Sequence, residues 1–304
     1  MIVPRWMRIV FLANLVAQTA IVVTGAVVRL TGSGLGCPTW PECVEGSYVP
    51  VARQAEAWHK YVEFGNRLLT FAVGIIAIVT VIAAVTYTVR RARAGQSRRP
   101  SILWLGIAPL LGTVAQAVLG GITVLTGLNP ATVGLHFLVS IALIAAAVAL
   151  VARSRDAGDQ PITYFVRKEV RLYTWALIAV TGLVVILGVV TTGSGPHSGD
   201  SDSELRFPFD PRTVAWLHAD VVLLFIGMLI GYMILLRVTS APSRVWRNTL
   251  ILVAITLVQA AVGYTQYFTG LPVLAVTVHV TLACLLWVTV LFLPSTLRER
   301  GATG

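Results

Sequence analysis

The stretch QAVLGGITVLTGLNPATVGLH at 116–136 has a counterpart, QAAVGYTQYFTGLPVLAVTVH, at 259–279. Gln-Ala opens both segments, Thr-Gly-Leu stands in the middle, and histidine closes them twenty positions after the glutamine: Gln116 to His136, and Gln259 to His279. A second echo lies upstream of each, Thr31-Gly32-Ser33-Gly34 against Thr192-Gly193-Ser194-Gly195. The chain reads as two copies of one unit, and each unit carries histidine within apolar sequence.

Composition sets the class. Of 304 residues 56% are hydrophobic and only 12% charged, which no soluble globular domain matches. Eight runs are long and apolar enough to cross a hydrocarbon core of roughly 30 Å as helices. They lie at about 9–29, 64–89, 102–124, 132–152, 171–192, 213–236, 248–268 and 273–293. The first is full length and lacks a small-residue cleavage pattern before Arg29, so it reads as a true helix and not as a signal peptide. The expected fold is an all-α polytopic membrane protein of eight transmembrane helices, arranged as two tandem four-helix-bundle repeats.

The net charge of +10 is a matter of placement. Most of the 23 basic residues fall on one side: Arg5 and Arg8; Arg90, Arg91, Arg93, Arg98 and Arg99; Arg153, Arg155, Arg167, Lys168 and Arg171; Arg237, Arg244 and Arg247; Arg298 and Arg300. The positive-inside rule then puts both termini in the cytoplasm of a multi-pass cell-membrane protein. Clusters in short loops do not make a nucleic-acid surface. Four spans per repeat give both halves one orientation. The expected units are an N-terminal half, 1–153, a basic cytoplasmic linker, 154–170, with Pro161, and a C-terminal half, 171–304.

This topology places His136, His218 and His279 at one depth, each opening an even-numbered helix from the outer face. The corresponding position of helix 2 is Asn66. A lone membrane histidine more often makes an interhelical hydrogen bond than ligates a metal. Repetition on alternate helices favours ligation, because two imidazoles on facing helices can hold one heme iron from opposite sides. His218 and His279 form the better-supported pair.

These features resemble the heme A synthase family, membrane enzymes that oxidise the C8 methyl of heme O to the formyl group of heme A. The resemblance rests on the eight spans, the histidines of the even helices, the loop Cys37-Pro38-Thr39-Trp40-Pro41-Glu42-Cys43, and Glu63 with Arg67. It implies a heme b held by His218 and His279 in the C-terminal half, and a substrate heme, bound as heme O and released as heme A, in the N-terminal half. Partners it implies are a heme O synthase, cytochrome oxidase assembly factors and an electron acceptor that the sequence does not identify. Many members carry histidine three residues after the glutamate, where this chain has Asn66. The N-terminal heme is then held through His136 alone or has a weak sixth ligand, and an open position suits oxygen chemistry or exchange.

Glu63 lies one helical turn from Asn66, on the same face. As a catalytic carboxylate it would accept a proton or stabilise developing positive charge; the plain alternative is a salt bridge to Arg67 or Lys60. Arg67 and Arg29 could pair with heme propionates or simply snorkel. His59 precedes Asn66 by seven residues, roughly 10 Å along a helix axis, and suits a heme-edge position. Gln116 and Gln259 suit interhelical hydrogen bonds. Cys37 and Cys43 lie on the oxidising side, where a disulfide would act as a loop staple or as a redox pair. Cys284 reads as packing. His197, near Asp200, Asp202 and Glu204, reads as a solvated loop histidine.

Two other functions fit parts of this pattern. A bis-histidine b-type cytochrome acting only as an electron carrier would need hemes near both faces, and a heme transporter would show polar groups near the midplane.

Overall fold

The computed structural model describes residues 2–97, 99–158, 160–200, 203 and 205–301. Arg98, Asp202 and Glu204, singled out above in the basic and acidic loops, lie outside the described residues. Apolar surroundings leave the backbone no partner but itself, so each hydrophobic run closes its hydrogen bonds as a helix. Eight helices long and apolar enough to cross a membrane occur among the described residues. They are α1 (Arg5–Leu30), α2 (His59–Arg93), α3 (Pro100–Leu125), α4 (Pro130–Arg155), α5 (Lys168–Ser194), α6 (Pro211–Val238), α7 (Ser243–Phe268) and α8 (Val273–Thr296). The α2 helix begins earlier than its hydrophobic run, so His59 and Glu63 both belong to it. Hydroxyls within the spans satisfy themselves locally: Thr19, Thr181 and Thr256 donate to the carbonyls of Leu15, Leu177 and Leu252, one turn back.

The Thr-Gly-Leu echo forms the turn of two helical hairpins. After α3, Gly127 and Leu128 take φ of 63° and 61°; after α7, Gly270 and Leu271 take 79° and 61°. The Leu128 amide donates to the Thr123 carbonyl at 2.9 Å and the Leu271 amide to Gln266 at 2.8 Å, which closes the last turn of each helix. The next helix follows at once, with Asn129 capping α4 by accepting the Ala131 amide. The Thr-Gly-Ser-Gly echo does not keep one conformation: α1 stops at Leu30 and Gly32 turns left-handed, whereas α5 continues through Ser194.

Helices α1 to α4 pack as a closed group, α1 and α3 each lying against both α2 and α4. Among the others, α5 lies on α6, α7 on α8 and α8 on α5, but α6 and α7 touch only sparsely. The α8 helix also packs on α1 and α4, and its Trp287 Nε1 donates to the Ile141 carbonyl of α4 at 3.0 Å. One apolar core therefore runs through both groups, from Phe11 and Ile144 to Leu177, Leu252 and Leu293.

At the end carrying the basic loops, arginines do more than mark topology. Arg91 and Arg99 are fully buried, and Arg99 donates to the Tyr87 hydroxyl and to the carbonyls of Arg153 and Asp156. Asp156 pairs with Arg153 and, at 3.1 Å, with Arg298. The segment read as a plain linker contains β1 (Ile162–Tyr164), which pairs antiparallel with β2 (Arg298–Arg300) next to the C terminus. The opposite end, the histidine end, gathers the loops 31–58, 126–129 and 269–272 and the described residues of 195–210.

Candidate functional site

In the first group Glu63 is nearly buried, with 6% of its surface exposed. Its Oε1 accepts from Arg67 Nη2 at 2.6 Å and Nε at 3.1 Å, and its Oε2 accepts the Cys37 amide at 2.6 Å. Arg67 also donates to the carbonyls of Cys37 (2.8 Å), Thr39 (3.1 Å) and Glu42 (3.2 Å). Cys37 and Cys43 are disulfide-bonded and fully buried. One arginine thus joins the carboxylate to the disulfide loop, pairing a part-buried guanidinium with a nearly buried carboxylate and bonding three loop carbonyls besides. Lys60 does not take part; its Nζ donates to Val51 at 2.8 Å. The loop also covers α3, where the Trp40 ring lies against Gly121.

Asn66 accepts the Thr24 hydroxyl of α1 at 2.7 Å through Oδ1. His59 meets Ser33 Oγ at 2.9 Å through Nδ1 and stacks on Trp58. Arg29 donates to the carbonyls of His197 (2.9 Å) and Thr192 (3.1 Å). His197 is not simply solvated: its Nε2 lies 3.0 Å from the Leu271 carbonyl, on the turn between α7 and α8. Together with the 2.7 Å bond from the Gly34 amide to Gly199, these contacts join the loops of the two groups at the histidine end.

The three helical histidines share a buried Nδ1 and a facing glycine, and two of them also meet a glutamine of the preceding helix. Gln116 on α3 donates to the His136 carbonyl at 2.9 Å and to Ser140 Oγ on α4. Gln259 on α7 lies 3.2 Å from His279 Nε2 on α8. His136, His218 and His279 each hold a buried Nδ1 without a hydrogen-bond partner among the described residues. Each ring also faces a glycine of the preceding helix. A Cβ placed on Gly120, Gly188 or Gly263 would lie 3.5, 3.4 or 3.2 Å from Cε1 of His136, His218 or His279. Sequence reasoning passed over these glycines, although Gly120 and Gly263 both stand four residues after the repeated glutamine. Cys284 is buried in the core on α8.

Three part-buried imidazoles at the openings of α4, α6 and α8, with a clamped carboxylate at the opening of α2, define a polytopic helical membrane protein whose polar groups gather at one end. The chain belongs to the COX15-CtaA family, described as cytochrome oxidase assembly protein, whose profile matches residues 7–196. It is similar to the heme A synthase of Lysinibacillus sphaericus, 31% identical over 193 residues, which cover 61% of this chain and 58% of that protein. The heme A synthase of Bacillus licheniformis is 24% identical over 301 residues, 94% of each chain. That of Geobacillus thermodenitrificans is 37% identical over 110 residues, 36% of this chain and 30% of that protein.

Proposed function

We propose that this chain is a heme A synthase, an oxidoreductase that takes heme O as substrate and converts its C8 methyl to the formyl group of heme A. The observation that carries this reading is the clamped carboxylate: Glu63 shares the histidine end with His136, and both of its oxygens are aimed by Arg67 and the Cys37 amide. Oε1 takes both Arg67 bonds while Oε2 takes only the Cys37 amide, so Oε2 keeps a further lone pair and the clamp fixes direction without using up acceptor capacity. Glu63 is then the group that takes the proton released at the reacting carbon, or balances positive charge there.

The first helical group, 1–153, is the substrate half, joined through 154–170 to a cofactor half, 171–304. His136 holds the substrate heme, and Asn66, tied to Thr24, leaves the facing position without a strong ligand. Arg67 spends donors on loop carbonyls and Arg29 on those of His197 and of Thr192 at the end of α5, so they shape the mouth of this pocket together with His59. In the second group His218 and His279 are the residues that would hold a heme b. The residues fit this group: the imidazoles come from two different helices, and each ring keeps a buried Nδ1 without a hydrogen-bond partner among the described residues. Held by these two imidazoles, a heme b would supply electron transfer. The protein stands in the cell membrane with both termini in the cytoplasm, as its arginine-rich loops favour, and meets a heme O synthase and cytochrome oxidase assembly factors.

The test is heme extraction from cells lacking heme A that co-express a heme O source with the intact chain or with Glu63→Ala. Heme A with the intact chain and heme O alone with the variant is the expected result. Heme O alone in both, with a bis-histidine spectrum retained, would replace this reading by that of an electron carrier.

A further inference from the structure

We propose that Gly188 and Gly263, and in the first group Gly120, are positioning residues that set the orientation of His218, His279 and His136 by offering each imidazole a bare helix backbone to lie against. This rests on the reading of these histidines as heme ligands. Glycine within a membrane helix usually serves close helix packing, and other glycines here do so. A Cβ on Gly106 would meet Ala84 Cβ at 2.4 Å, and one on Gly134 would meet Val189 at 2.8 Å. The three glycines beside the histidines differ. Among the described residues, only imidazole atoms lie within 4 Å of the place their Cβ would take.

The contact falls on the same ring edge each time. Cε1 is nearest in all three, and Nδ1 follows at 3.8 Å for His218 and 3.6 Å for His279. A methyl group on Gly263 would press on that edge and tilt or slide the ring, one on Gly188 would fill the gap to its limit, and one on Gly120 would rest in ordinary contact. The glutamine one turn earlier on the same ridge acts on the same residue, through the His136 carbonyl in one copy and His279 Nε2 in the other. In these two copies the ridge therefore presents a donor and a bare backbone patch to one histidine. The first helix pair offers a contrast: Asn66 replaces the histidine, and Gly25, next to its partner Thr24, has nothing within 4 Å of a Cβ.

The distances rank the effect. The approach at Gly263 (3.2 Å) is tighter than ordinary van der Waals contact, that at Gly188 (3.4 Å) lies at its limit, and that at Gly120 (3.5 Å) lies within it. Alanine at position 263 must therefore displace its ring most, and alanine at 120 least. Alanine is also the better helix former, so loss of helix is not the expected response.

The experiment uses the full-length membrane protein purified with its heme, as Gly263→Ala, Gly188→Ala and Gly120→Ala. Gly25→Ala and Gly74→Ala serve as controls at positions with nothing within 4 Å. Heme content, the ferric low-spin electron paramagnetic resonance signal and the midpoint potential are read beside thermal stability. The expected result is a shifted low-spin signal for Gly263→Ala with roughly 10-fold weaker heme retention, the scale on which groups supporting a metal ligand act. Gly188→Ala should show a smaller shift of the same kind, and the two controls the parent signal. Parent spectra and heme content in both Gly188→Ala and Gly263→Ala would overturn the proposal, as would lowered stability with an unshifted signal. His218→Ala and His279→Ala separate the two failures: if they keep the low-spin heme, the ligand reading itself falls; if they lose it while the glycine variants stay silent, only the positioning role falls.

Discussion

Arg67 Nη2 lies 2.6 Å from Glu63 Oε1, and the same guanidinium holds three carbonyls of the disulfide loop, so the carboxylate and the loop above it move as one unit. Substituting Arg67 by Met leaves a nearly buried carboxylate with the Cys37 amide alone. The expected cost is about 2 kcal/mol, the scale of a lost hydrogen bond to a charged group, seen as a lower unfolding temperature of the purified protein. Heme A formation should fall with it, and unchanged heme A would show that Glu63 needs no clamp.

Opening the disulfide acts on the same unit from the other side. The double variant Cys37→Ser, Cys43→Ser is expected to lose about 2 kcal/mol of stability, because a short closed ring constrains the unfolded chain by that amount. Its heme A yield should drop less than in Glu63→Ala, since the Cys37 amide remains in the chain. Abolished heme A at unchanged stability would instead give the cysteines a redox part in turnover.

His136 and the pair His218 and His279 should separate in their effects. Loss of either C-terminal histidine is expected to remove the bis-histidine spectrum of the purified protein. His136→Ala should keep that spectrum and lose heme A formation. Optical spectra and heme extraction on the same preparations check both, and an equal loss of spectrum in all three variants would contradict the division between the halves.

Asn66→His supplies the imidazole missing from the first helix pair, opposite Thr24. A second strong ligand should raise retention of the N-terminal heme, add a low-spin signal and slow heme A formation, because a saturated iron offers no open position. Faster heme A formation would show that the open position is not what turnover requires.

The eight spans were legible because each is written within one window of apolar residues, and a bilayer leaves such a window no alternative to a helix. Gln116 and Gln259 were likewise legible as interhelical hydrogen-bonding groups; the structure adds that their partners are His136 and His279, each within one hairpin whose length is set locally by the Thr-Gly-Leu turn. Glu63 and Arg67 were legible as a pair for the same reason, being one turn apart on α2.

What only the tertiary structure decided involves residues far apart in the chain or spacings that carry no periodic signal. Arg29 reaching His197 and Thr192, the Cys37 amide closing on Glu63, the strand pairing of 162–164 with 298–300, and the burial of Arg91 and Arg99 all depend on how finished helices dock. Hydropathy says that a segment is buried in the membrane but not which neighbour it faces, and the sparse contact between α6 and α7 has no counterpart in their composition. The glycines beside the histidines show the same division. Their positions could be read within the repeat, but their use could not, because a missing side chain has meaning only once the ring that occupies its place is known.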